Sequence, residues 1–394
     1  MKLALVHDWL TGMRGGEKCL EVLCRRFPEA ELLTLLHARG RTSPTIEQMR
    51  IRTSPLQRVP GAARHYRYLL PLMPWAVERL SIPEDVDAVV SFSHAVAKSI
   101  EPPPGVPHIC YCFTPMRYAW HLREAYLGGE DREPWPVRAA RAPLKHLQGA
   151  LLNRVRDWDC RTSDRVTHYV AISRTVADRI DECYERDATI IYPPVDTRFF
   201  TPADVPREGF YLCVSALVPY KRIDLAIRAC ALLGRRLIII GEGPQRRRLE
   251  RMAAENVQFQ GWQSGETIRD TLRRCSALLF PGIEDFGIVP LEAAACGTPV
   301  IALGQGGATE TVLAASPQQP GTGWFFDAQT PESLAAAMLR SERERHGFDA
   351  CLARGQAERF GTARFETELV ALIERVVADR AAAGRADGAA EWVG

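Results

Sequence analysis

The chain has 394 residues, of which 46% are hydrophobic and 25% charged, and its formal net charge is +2. This length suits two domains, and the composition is that of a folded globular protein rather than a fibrous or disordered one. The near-neutral charge gives no signal for nucleic acid, so we expect no nucleic-acid partner.

Targeting patterns and cysteine spacing exclude further classes of protein. No apolar run reaches the ~18–20 residues that span a bilayer, and the N-terminus has no signal-peptide pattern. The eleven cysteines form no paired C-x-x-C framework, which argues against a zinc site and against a disulfide scaffold. A reduced, cytoplasmic environment fits this cysteine usage best.

The N-terminal half begins as a doubly wound sheet would. A strand over Leu3–Val6 leads into a loop with Gly15 and Gly16, and a helix is predicted over Glu17–Phe27. Such a glycine turn lets backbone amides approach a diphosphate. The loop does not match the G-x-G-x-x-G fingerprint, which disfavours a Rossmann dehydrogenase. Further strands are predicted at Leu32–Leu36, Ala88–Phe92, Ile109–Phe113 and His168–Ile172.

Two regions of this half, residues 55–79 and 137–158, combine basic residues with aromatic or apolar ones. One interpretation is an amphipathic helix packed on the core with a solvated basic face. The other is contact with a membrane surface or with a lipid-linked anionic acceptor. The basic residues are Arg58, Arg64, Arg67 and Arg79 in the first region and Arg138, Arg141, Lys145, Arg154 and Arg156 in the second.

A turn-rich stretch over Ile191–Asp196 marks a hinge, after which a second strand–helix series begins. Alternating strands and helices predict a second parallel sheet with helices on both faces. The predicted strands are Phe210–Leu217, Leu237–Ile240, Val257–Gln260, Ala277–Phe280 and Val300–Leu303, with Gly323–Phe326 completing the sheet. We predict domains at 1–192 and 193–360, a C-terminal helix over 361–380 and a flexible tail over 381–394.

The most distinctive stretch of the chain is residues 277–303. A buried strand ends at Pro281-Gly282, the following loop carries Glu284, and a helix over Ile288–Cys296 carries Glu292. Ligands of open α/β sheets bind beyond the carboxyl ends of the strands, and helix N-termini favour phosphate. A carboxylate at such a place can accept hydrogen bonds from sugar hydroxyls.

A pair of cations, Lys221 and Arg222, follows the first strand of the second half. Two cations at a helix start suit a diphosphate leaving group, because they neutralise the charge that develops as the glycosidic bond breaks. A solvated surface pair is the alternative interpretation.

Glu284 and Glu292, with Phe286-Gly287 between them and Gly297-Thr298-Pro299-Val300 behind, resemble the E-x7-E signature of retaining GT-B glycosyltransferases of family 4. The resemblance extends over nearly the whole chain. It implies an α/β GT-B fold: two Rossmann-like doubly wound domains face a central cleft, and a C-terminal helix crosses back to the first domain. It also implies a retaining hexosyltransferase that uses a nucleoside-diphosphate sugar.

The resemblance further implies residue roles. Glu284 would bind donor-sugar hydroxyls and Glu292 the ribose hydroxyls, while Lys221 and Arg222 hold the diphosphate. The catalytic residues would be Glu284, Lys221 and Arg222. Further donor-binding positions are Gly15 and Gly16 from the first domain, Trp262 near the nucleobase, and the backbone of Phe286, Gly287 and Ile288. On the acceptor side the resemblance points to His94, Thr114 and Arg117.

Two positions depart from the family pattern. Phe113 stands where family members usually carry His, and Ala216 stands where they often carry Arg, for which Arg222 is the candidate to compensate. The letter pattern D-x-D occurs at 85–87 and 157–159, but neither copy follows an apolar strand, so we attribute both to chance. We therefore expect no metal and no bound cofactor.

The resemblance favours bacterial enzymes of polysaccharide or lipopolysaccharide biosynthesis. GDP-mannose is then the first expected donor and a UDP-hexose the second. The expected acceptor is a saccharide or a polyprenyl-linked oligosaccharide, reached with peripheral contact to the cytoplasmic face of the inner membrane. The alternatives are another nucleotide-sugar enzyme on this scaffold, such as an epimerase or a phosphorylase, and a catalytically silent partner subunit.

Overall fold

The structure is a computed structural model that describes residues 1–117, 120, 149 and 151–390. The chain folds as two compact units. Unit 1 contains Met1–Ile191 and the chain from Glu366 onward, and unit 2 contains Tyr192–Phe365. The prediction of two doubly wound α/β domains is confirmed by the sheet in each unit.

Unit 1 is built on a seven-stranded sheet in which each neighbouring pair of strands is parallel. The strand order is β3-β2-β1-β4-β5-β6-β7, so the order reverses between β1 and β4. Such a reversal is where open α/β sheets bind ligands. The strands are β1 (Leu3–His7), β2 (Glu31–Thr34), β3 (Arg50–Thr53), β4 (Ala88–Ser93), β5 (His108–Cys112), β6 (His168–Ala171) and β7 (Ala188–Ile190).

The helices of unit 1 cover this sheet. They are α1 (Gly15–Arg26), α2 (Pro44–Glu47), α3 (Ala62–His65), α4 (Met73–Val77) and α5 (Arg174–Tyr184), with 3₁₀ turns at Pro55–Arg58, Tyr66–Leu72, Ala97–Ser99 and Thr162–Arg165. Residues 151–161 are helical as well. In α1 the apolar side chains Leu20 and Leu23 are buried, whereas Arg25 and Arg26 near the end are exposed. This is the one-sided pattern of a helix packed on a sheet.

Unit 2 repeats the arrangement with a six-stranded parallel sheet in the order β10-β9-β8-β11-β12-β13. Here the order reverses between β8 and β11. The strands are β8 (Phe210–Val214), β9 (Arg236–Ile240), β10 (Val257–Gly261), β11 (Ala277–Phe280), β12 (Val300–Leu303) and β13 (Gly323–Phe326). Strands β11 and β12 are buried at every residue, as expected for strands covered on both faces.

Helices pack on both the apolar clusters that flank the unit 2 sheet. They are α6 (Ile223–Leu233), α7 (Arg246–Met252), α8 (Gly265–Arg274), α9 (Ile288–Ala295), α10 (Ala308–Thr311), α11 (Pro331–Arg343) and α12 (Ala350–Glu358), with 3₁₀ turns at Pro219–Lys221 and Arg345–Gly347. Helix α13 (Thr362–Ala390) begins in unit 2 and continues in unit 1.

The structure differs from the sequence expectations in three places. The edge strands β3 and β7 were not predicted, because their residues are mostly exposed or half-buried and form no apolar run. The strand predicted over Phe210–Leu217 ends at Val214. Helix α13 continues past its predicted end to Ala390, so helix replaces most of the predicted tail; the alanine-rich sequence favours helix and contains no proline.

None of the described helices combines the length and the apolar character that crossing a bilayer requires. Cys110, Cys112 and Cys213 are buried within strands.

Candidate active site

The first candidate pair lies at the strand-order reversal of unit 2. Lys221 follows β8, and Glu284 follows β11. The Lys221 ammonium forms an ion pair with the Glu284 carboxylate, and the two side chains are 16% and 18% exposed. The structure therefore brings together two residues that lie far apart in the sequence, at the edge of the sheet where ligands bind.

Gly282 allows this approach. A Cβ atom at position 282 would lie 2.8 Å from the Tyr220 carbonyl oxygen and 2.9 Å from the Lys221 Cα atom. Any larger residue would push the two loops apart, because both contacts are with backbone. The Pro281-Gly282 step thus ends β11 and also brings Lys221 within reach of Glu284.

A glycine turn after β12 fixes the Glu284 loop from its other side. The Gly307 N–H donates to the Glu284 carbonyl oxygen at 2.8 Å. A Cβ atom on Gly307 would lie 2.2 Å from the Phe286 Cα atom. The backbone that carries Glu284 is therefore held by its neighbours on both sides.

Helix α9 begins directly after this loop. Gly287 precedes it with a φ of 98°, a conformation that few other residues adopt. The N–H groups of the first turn, from Ile288 onward, have no acceptor within the helix and carry partial positive charge, so this end of the helix suits a phosphate. Glu292 lies in the second turn and is only 6% exposed.

The Phe286 side chain packs inward from the same loop. Its ring stacks on Tyr192 with a centroid separation of 5.6 Å and lies 5.7 Å from Phe360. Because this ring is buried, the backbone is what Phe286 can offer to a ligand.

Arg222 differs from Lys221 in conformation and in its partners. Its φ is 49°, a left-handed conformation that costs a non-glycine residue about 1–2 kcal/mol. The guanidinium donates to the two Asp224 carboxylate oxygens at 3.1 and 3.2 Å and to the Gln329 side-chain oxygen at 3.3 Å. The structure therefore holds one edge of Arg222 on Asp224, while Lys221 contacts Glu284.

Trp262 follows β10 at the same edge of the unit 2 sheet. Its side chain is 77% exposed. An exposed indole offers a flat apolar face with one hydrogen-bond donor. Its contact with a nucleobase stays a prediction.

The strand-order reversal of unit 1 carries a second pair, Asp8 after β1 and His94 after β4. The Asp8 carboxylate is fully buried and accepts hydrogen bonds from four successive backbone N–H groups, those of residues 94–97, at 2.7–3.0 Å. It also lies 3.0 Å from the His94 Nδ1 atom. Burial alone would raise the pKa of Asp8, but His94 and these donors outweigh it, and the pKa falls to about 2.

Gly16 lies against Phe113 and His7, and Gly15 begins α1. A Cβ atom on Gly16 would lie 3.2 Å from the Phe113 ring and 3.4 Å from the His7 Nε2 atom. His7 is fully buried, and burial lowers its pKa against the opposing charges of Glu17 and Asp8. Residues from the ends of β1, β4 and β5 therefore meet beside the start of α1.

The other predicted acceptor-side residues follow β5. Thr114 is buried, and within the described part of the chain its Oγ1 atom has no hydrogen-bond partner. Arg117 is half-buried. Tyr118 and Ala119, which follow Arg117 in the sequence, lie outside the described residues, as do Arg138, Arg141 and Lys145.

The second D-x-D pattern, at residues 157–159, contains an aspartate that is buried in the protein interior. Asp159 is fully buried and pairs with the Lys98 ammonium at 3.1 Å, and it accepts hydrogen bonds from Trp120 and Tyr184. Among the described residues, no group of three or more His, Cys, Asp or Glu side chains is placed to hold a metal ion.

Sequence reasoning missed Asp8 and His7 as parts of this cluster. Both stand in the string Val6-His7-Asp8-Trp9, where charged and aromatic residues follow an apolar strand directly. That position is a signal for a ligand-facing strand end. The backbone N–H groups that Asp8 binds come from the β4 loop, and no spacing in the sequence connects the two.

Comparison with family models divides the chain into two parts. Residues 13–199 match the model described as Glycosyltransferase Family 4. Residues 196–357 match the model described as Glycosyl transferases group 1. Together the two matches include every site residue that the sequence predicted, from Gly15 to Glu292.

Curated relatives align with part of the chain. A GDP-mannose-dependent alpha-(1-6)-phosphatidylinositol monomannoside mannosyltransferase of Mycolicibacterium smegmatis is 32% identical over 198 residues, 42% of this chain and 50% of that protein. A D-inositol 3-phosphate glycosyltransferase of Salinispora tropica is 29% identical over 252 residues, 53% of this chain and 51% of that protein. The chain thus spans about half the length of these curated relatives.

Solved structures resemble the whole fold. HepE of Anabaena, in complex with UDP and glucose, has a TM-score of 0.68 at 16% identity over 95% of this chain and 99% of that one. Sucrose-phosphate synthase of Thermosynechococcus elongatus has a TM-score of 0.68 at 16% identity over 96% of this chain and 100% of that one. At these identities the likeness shows the fold.

Proposed function

We propose, from the premise that this chain belongs to the family 4 glycosyltransferases of GT-B fold, that it transfers a hexosyl group with retention of configuration. The donor is a nucleoside-diphosphate sugar, and the acceptor is a hydroxyl of a saccharide or of a lipid-linked saccharide. The observation that carries the proposal is the Lys221–Glu284 pair beside the N-terminus of α9. A cation, a carboxylate and helix N–H groups are what a sugar diphosphate needs for binding.

In this proposal each group binds the part of the donor that its chemistry suits. Glu284 accepts hydrogen bonds from the sugar hydroxyls, and Lys221 donates to the diphosphate, with Arg222 as a second cation. Glu292 binds the ribose hydroxyls, and Trp262 stacks on the nucleobase. The backbone of Phe286, Gly287 and Ile288 lies along the sugar and the phosphates.

The proposed chemistry needs no protein nucleophile. The bond between the anomeric carbon and the diphosphate oxygen breaks, and the acceptor oxygen bonds to the same face of that carbon. The acceptor proton passes to the departing phosphate oxygen, which yields the nucleoside diphosphate. Lys221 stabilises the negative charge that develops there, which is the largest contribution a fixed cation makes to such a reaction.

GDP-mannose is the first proposed donor and a UDP-hexose the second. The name of the Mycolicibacterium smegmatis relative supports the first, since that protein is GDP-mannose-dependent and shares 32% identity over the aligned 198 residues. The same name, with its phosphatidylinositol monomannoside, supports a lipid-linked acceptor.

The test is calorimetric binding of GDP, UDP, ADP and their sugars to the purified chain. A ligand that binds only the native state raises its stability, so the base that does so identifies the donor class. We expect the chain to bind GDP, and we expect the Kd for GDP to be at least tenfold higher in Glu292→Ala. The absence of any response to any nucleotide would overturn the proposal and favour the silent-partner alternative.

Product analysis separates the transferase from the other nucleotide-sugar enzymes. A transferase releases nucleoside diphosphate in proportion to the glycosylated acceptor. Conversion of the donor without an acceptor would indicate an epimerase, and a requirement for free phosphate would indicate a phosphorylase.

We also propose that unit 1 contacts an anionic membrane surface around residues 58–79. Val59, Leu72 and Trp75 are 42%, 49% and 43% exposed, and the Arg79 guanidinium lies 4.4 Å from the Trp75 ring centroid. Exposed apolar side chains among cations are typical of an interfacial surface. This proposed contact would bring unit 1 to the surface that carries a lipid-linked acceptor.

Vesicle flotation at low salt tests this contact. We expect co-flotation with vesicles containing anionic lipid, reduced in Trp75→Ala and unchanged in the matched variant Trp262→Ala. Equal behaviour of the two variants, or no flotation of the wild type, would remove the membrane proposal and leave the transferase proposal intact.

A further inference from the structure

We infer that Tyr192 is a positioning residue of the candidate site: its ring and its hydroxyl hold Phe286 and thereby the backbone at the start of α9. The inference rests on the proposed transferase function and deepens it, because it names a residue that controls binding of the sugar diphosphate through another residue. Every residue that carries it lies in unit 2.

The Tyr192 ring packs on the loop that carries Glu284. It stacks on the Phe286 ring with a centroid separation of 5.6 Å and an interplanar angle of 24°. Phe286 is only 3% exposed, so its ring serves the loop through packing. Aromatic pairs have preferred geometries. The stack therefore fixes the Phe286 side chain and, with it, the direction of the backbone that leads to Gly287.

The Tyr192 hydroxyl makes a second, polar contact. It donates to the Glu310 Oε2 atom at 3.1 Å. Glu310 lies in α10, directly after the glycine turn whose Gly307 N–H donates to the Glu284 carbonyl oxygen. The same turn and helix thus hold the loop at Glu284 through the backbone and at Phe286 by way of Tyr192. Because these contacts close a circuit, the loop cannot shift at one point without breaking a contact at another.

Tyr192 is itself anchored by the last part of unit 2. Its carbonyl oxygen accepts a hydrogen bond from the Arg364 Nη2 atom at 2.8 Å, and its ring meets the Phe360 ring edge-on at 5.2 Å. Three residues further on, the Val195 N–H donates to the Phe360 carbonyl oxygen at 2.9 Å. Tyr192 is therefore a fixed point against which the loop packs.

The choice of tyrosine indicates a role beyond packing. Its side chain is half-buried, and the carboxylate that it binds costs free energy to desolvate. A phenylalanine would pack without that cost, as Phe360 does beside Phe286. The hydrogen bond adds direction, because it sets the position of the tyrosine ring within its own plane. Such precision matters where backbone groups must meet a ligand closely.

The positioned backbone is the part of the site that the proposed function assigns to the sugar and the phosphates. Gly287 has a φ of 98°, and the first N–H groups of α9 follow it, so a small rotation at Phe286 redirects these groups. The proposed base and ribose contacts, Trp262 and Glu292, lie outside this loop. Loss of Tyr192 should therefore weaken binding of the terminal phosphate and the sugar but not binding of the nucleoside.

Binding of GDP and of GMP to Tyr192→Leu tests the inference. The monophosphate keeps the base and the ribose but lacks the terminal phosphate, which the loop backbone is proposed to bind. We expect the Kd for GDP to rise about tenfold in Tyr192→Leu and the Kd for GMP to change less than about twofold. A general loss of structure would weaken both ligands alike. With a uridine donor, UDP and UMP take the places of GDP and GMP.

Tyr192→Phe separates the ring from the hydroxyl. It keeps the stack on Phe286 and loses the bond to Glu310, so we expect about a threefold rise in the Kd for GDP. Tyr211→Phe is the matched control, because the hydroxyl of this buried tyrosine donates to Glu342 at 2.8 Å near the amino end of β8, at the edge of the sheet away from the site. Tyr211→Phe should lower the melting temperature at least as much as Tyr192→Phe and leave GDP binding unchanged.

Hydrogen exchange on the ligand-free chain measures the state of the loop directly. Peptides covering residues 283–288 should exchange faster in Tyr192→Leu than in the wild type, while β11 and β12 keep their protection. Equal exchange of this loop in the two proteins, or parallel losses of GDP and GMP binding, would overturn the inference.

These measurements distinguish the inference from the function on which it rests. If the wild-type chain binds GDP and Tyr192→Leu binds it equally well, only the inference is overturned. If the wild-type chain binds no nucleotide, the proposed function is overturned, and the inference with it.

Discussion

The strand-order reversals of the two units each carry a carboxylate, and the two carboxylates have opposite surroundings. In unit 1 the acid, Asp8, follows the first strand, is fully buried and is bound by four backbone N–H groups. In unit 2 the acid, Glu284, follows the fourth strand of the sheet, and both it and Lys221 remain 16–18% exposed.

The two units use the same kind of strand-order reversal in two different ways. In unit 1 the four backbone N–H groups, called here the amide array, already donate to the chain's own Asp8 carboxylate. That carboxylate therefore contributes to stability. Where loops hold a cation and a carboxylate at the surface instead, the polar groups are available to a ligand. The comparison therefore predicts that charge removal in unit 1 mainly costs folding and that charge removal in unit 2 mainly costs catalysis.

The largest effect is expected from Asp8→Asn. An amide can accept on its oxygen only, and its NH₂ group would face two of the N–H donors that Asp8 now binds. We expect the free energy of unfolding to fall by about 3–5 kcal/mol, because a buried carboxylate charge that four backbone N–H groups stabilise is lost. Urea denaturation measures this change.

Asp85→Asn is the matched control, because Asp85 precedes β4 at the opposite end of the same sheet. It pairs with Lys2, and its side chain is 71% exposed. An exposed pair of this kind contributes little, so we expect stability near that of the wild type. Equal destabilisation by the two substitutions would contradict the special role of the amide array.

The second prediction concerns Lys221→Ala in unit 2. We expect kcat to fall about 10²–10³-fold, because a preorganised charge at the leaving group is lost. The melting temperature should change little, since the Lys221–Glu284 pair is partly exposed. Steady-state kinetics and calorimetry on the same sample measure both quantities.

Arg274→Ala serves as the control for Lys221→Ala. Arg274 pairs with Glu208 at 3.0 Å in the same unit, and both side chains are nearly half exposed. Both kcat and melting temperature should stay near wild type. A catalytic loss as large as that of Lys221→Ala would show that charge anywhere on unit 2 matters, which the comparison excludes.

A third prediction concerns the loss of folding stability at acid pH. The His108 ring accepts from or donates to Ser91 and the Arg165 carbonyl oxygen, and burial lowers its pKa to about 4. Between the unfolded value near 6.5 and pH 4 the unfolded chain binds a proton that the native chain does not, so stability falls by about 3 kcal/mol as pH falls. Below about pH 4, protonation of Asp8 removes stability in the same direction.

Unit 1 should therefore unfold in acid before unit 2. Only one histidine, His346, lies between Tyr192 and Phe365 in the sequence. Hydrogen exchange read by mass spectrometry at pH 7 and pH 5 should show earlier loss of protection in β4 and β5 than in β11 and β12. Equal loss in the two units would contradict this assignment.

The fold could be predicted because its central strands are apolar runs. Strands such as Ala277–Phe280 and Val300–Leu303 are buried on both faces, so their sequences leave little choice. The edge strands β3 and β7 could not be found in this way, because an edge strand needs no continuous apolar face and is recognised through pairing with its neighbour.

The candidate site was predictable where its residues share a local motif. Glu284, Gly287 and Glu292 lie within nine residues and can be identified together. The contact between Lys221 and Glu284 and the binding of Asp8 by the β4 loop join distant parts of the chain. Both depend on strand order and on close backbone approach, as at Gly282, which no local pattern encodes.

The smallest effect is expected at Arg222. From the sequence alone, Arg222→Ala should cost as much activity as Lys221→Ala if Arg222 replaces the cation missing at Ala216. Because the Arg222 guanidinium is shared with Asp224 and Gln329, we instead expect about a tenfold loss, roughly 1.4 kcal/mol. Arg222→Gly should lose the same activity but be about 1 kcal/mol more stable than Arg222→Ala, since glycine adopts the left-handed backbone without strain. A loss equal to that of Lys221→Ala would make Arg222 a full partner at the diphosphate, and no loss would remove it from the site.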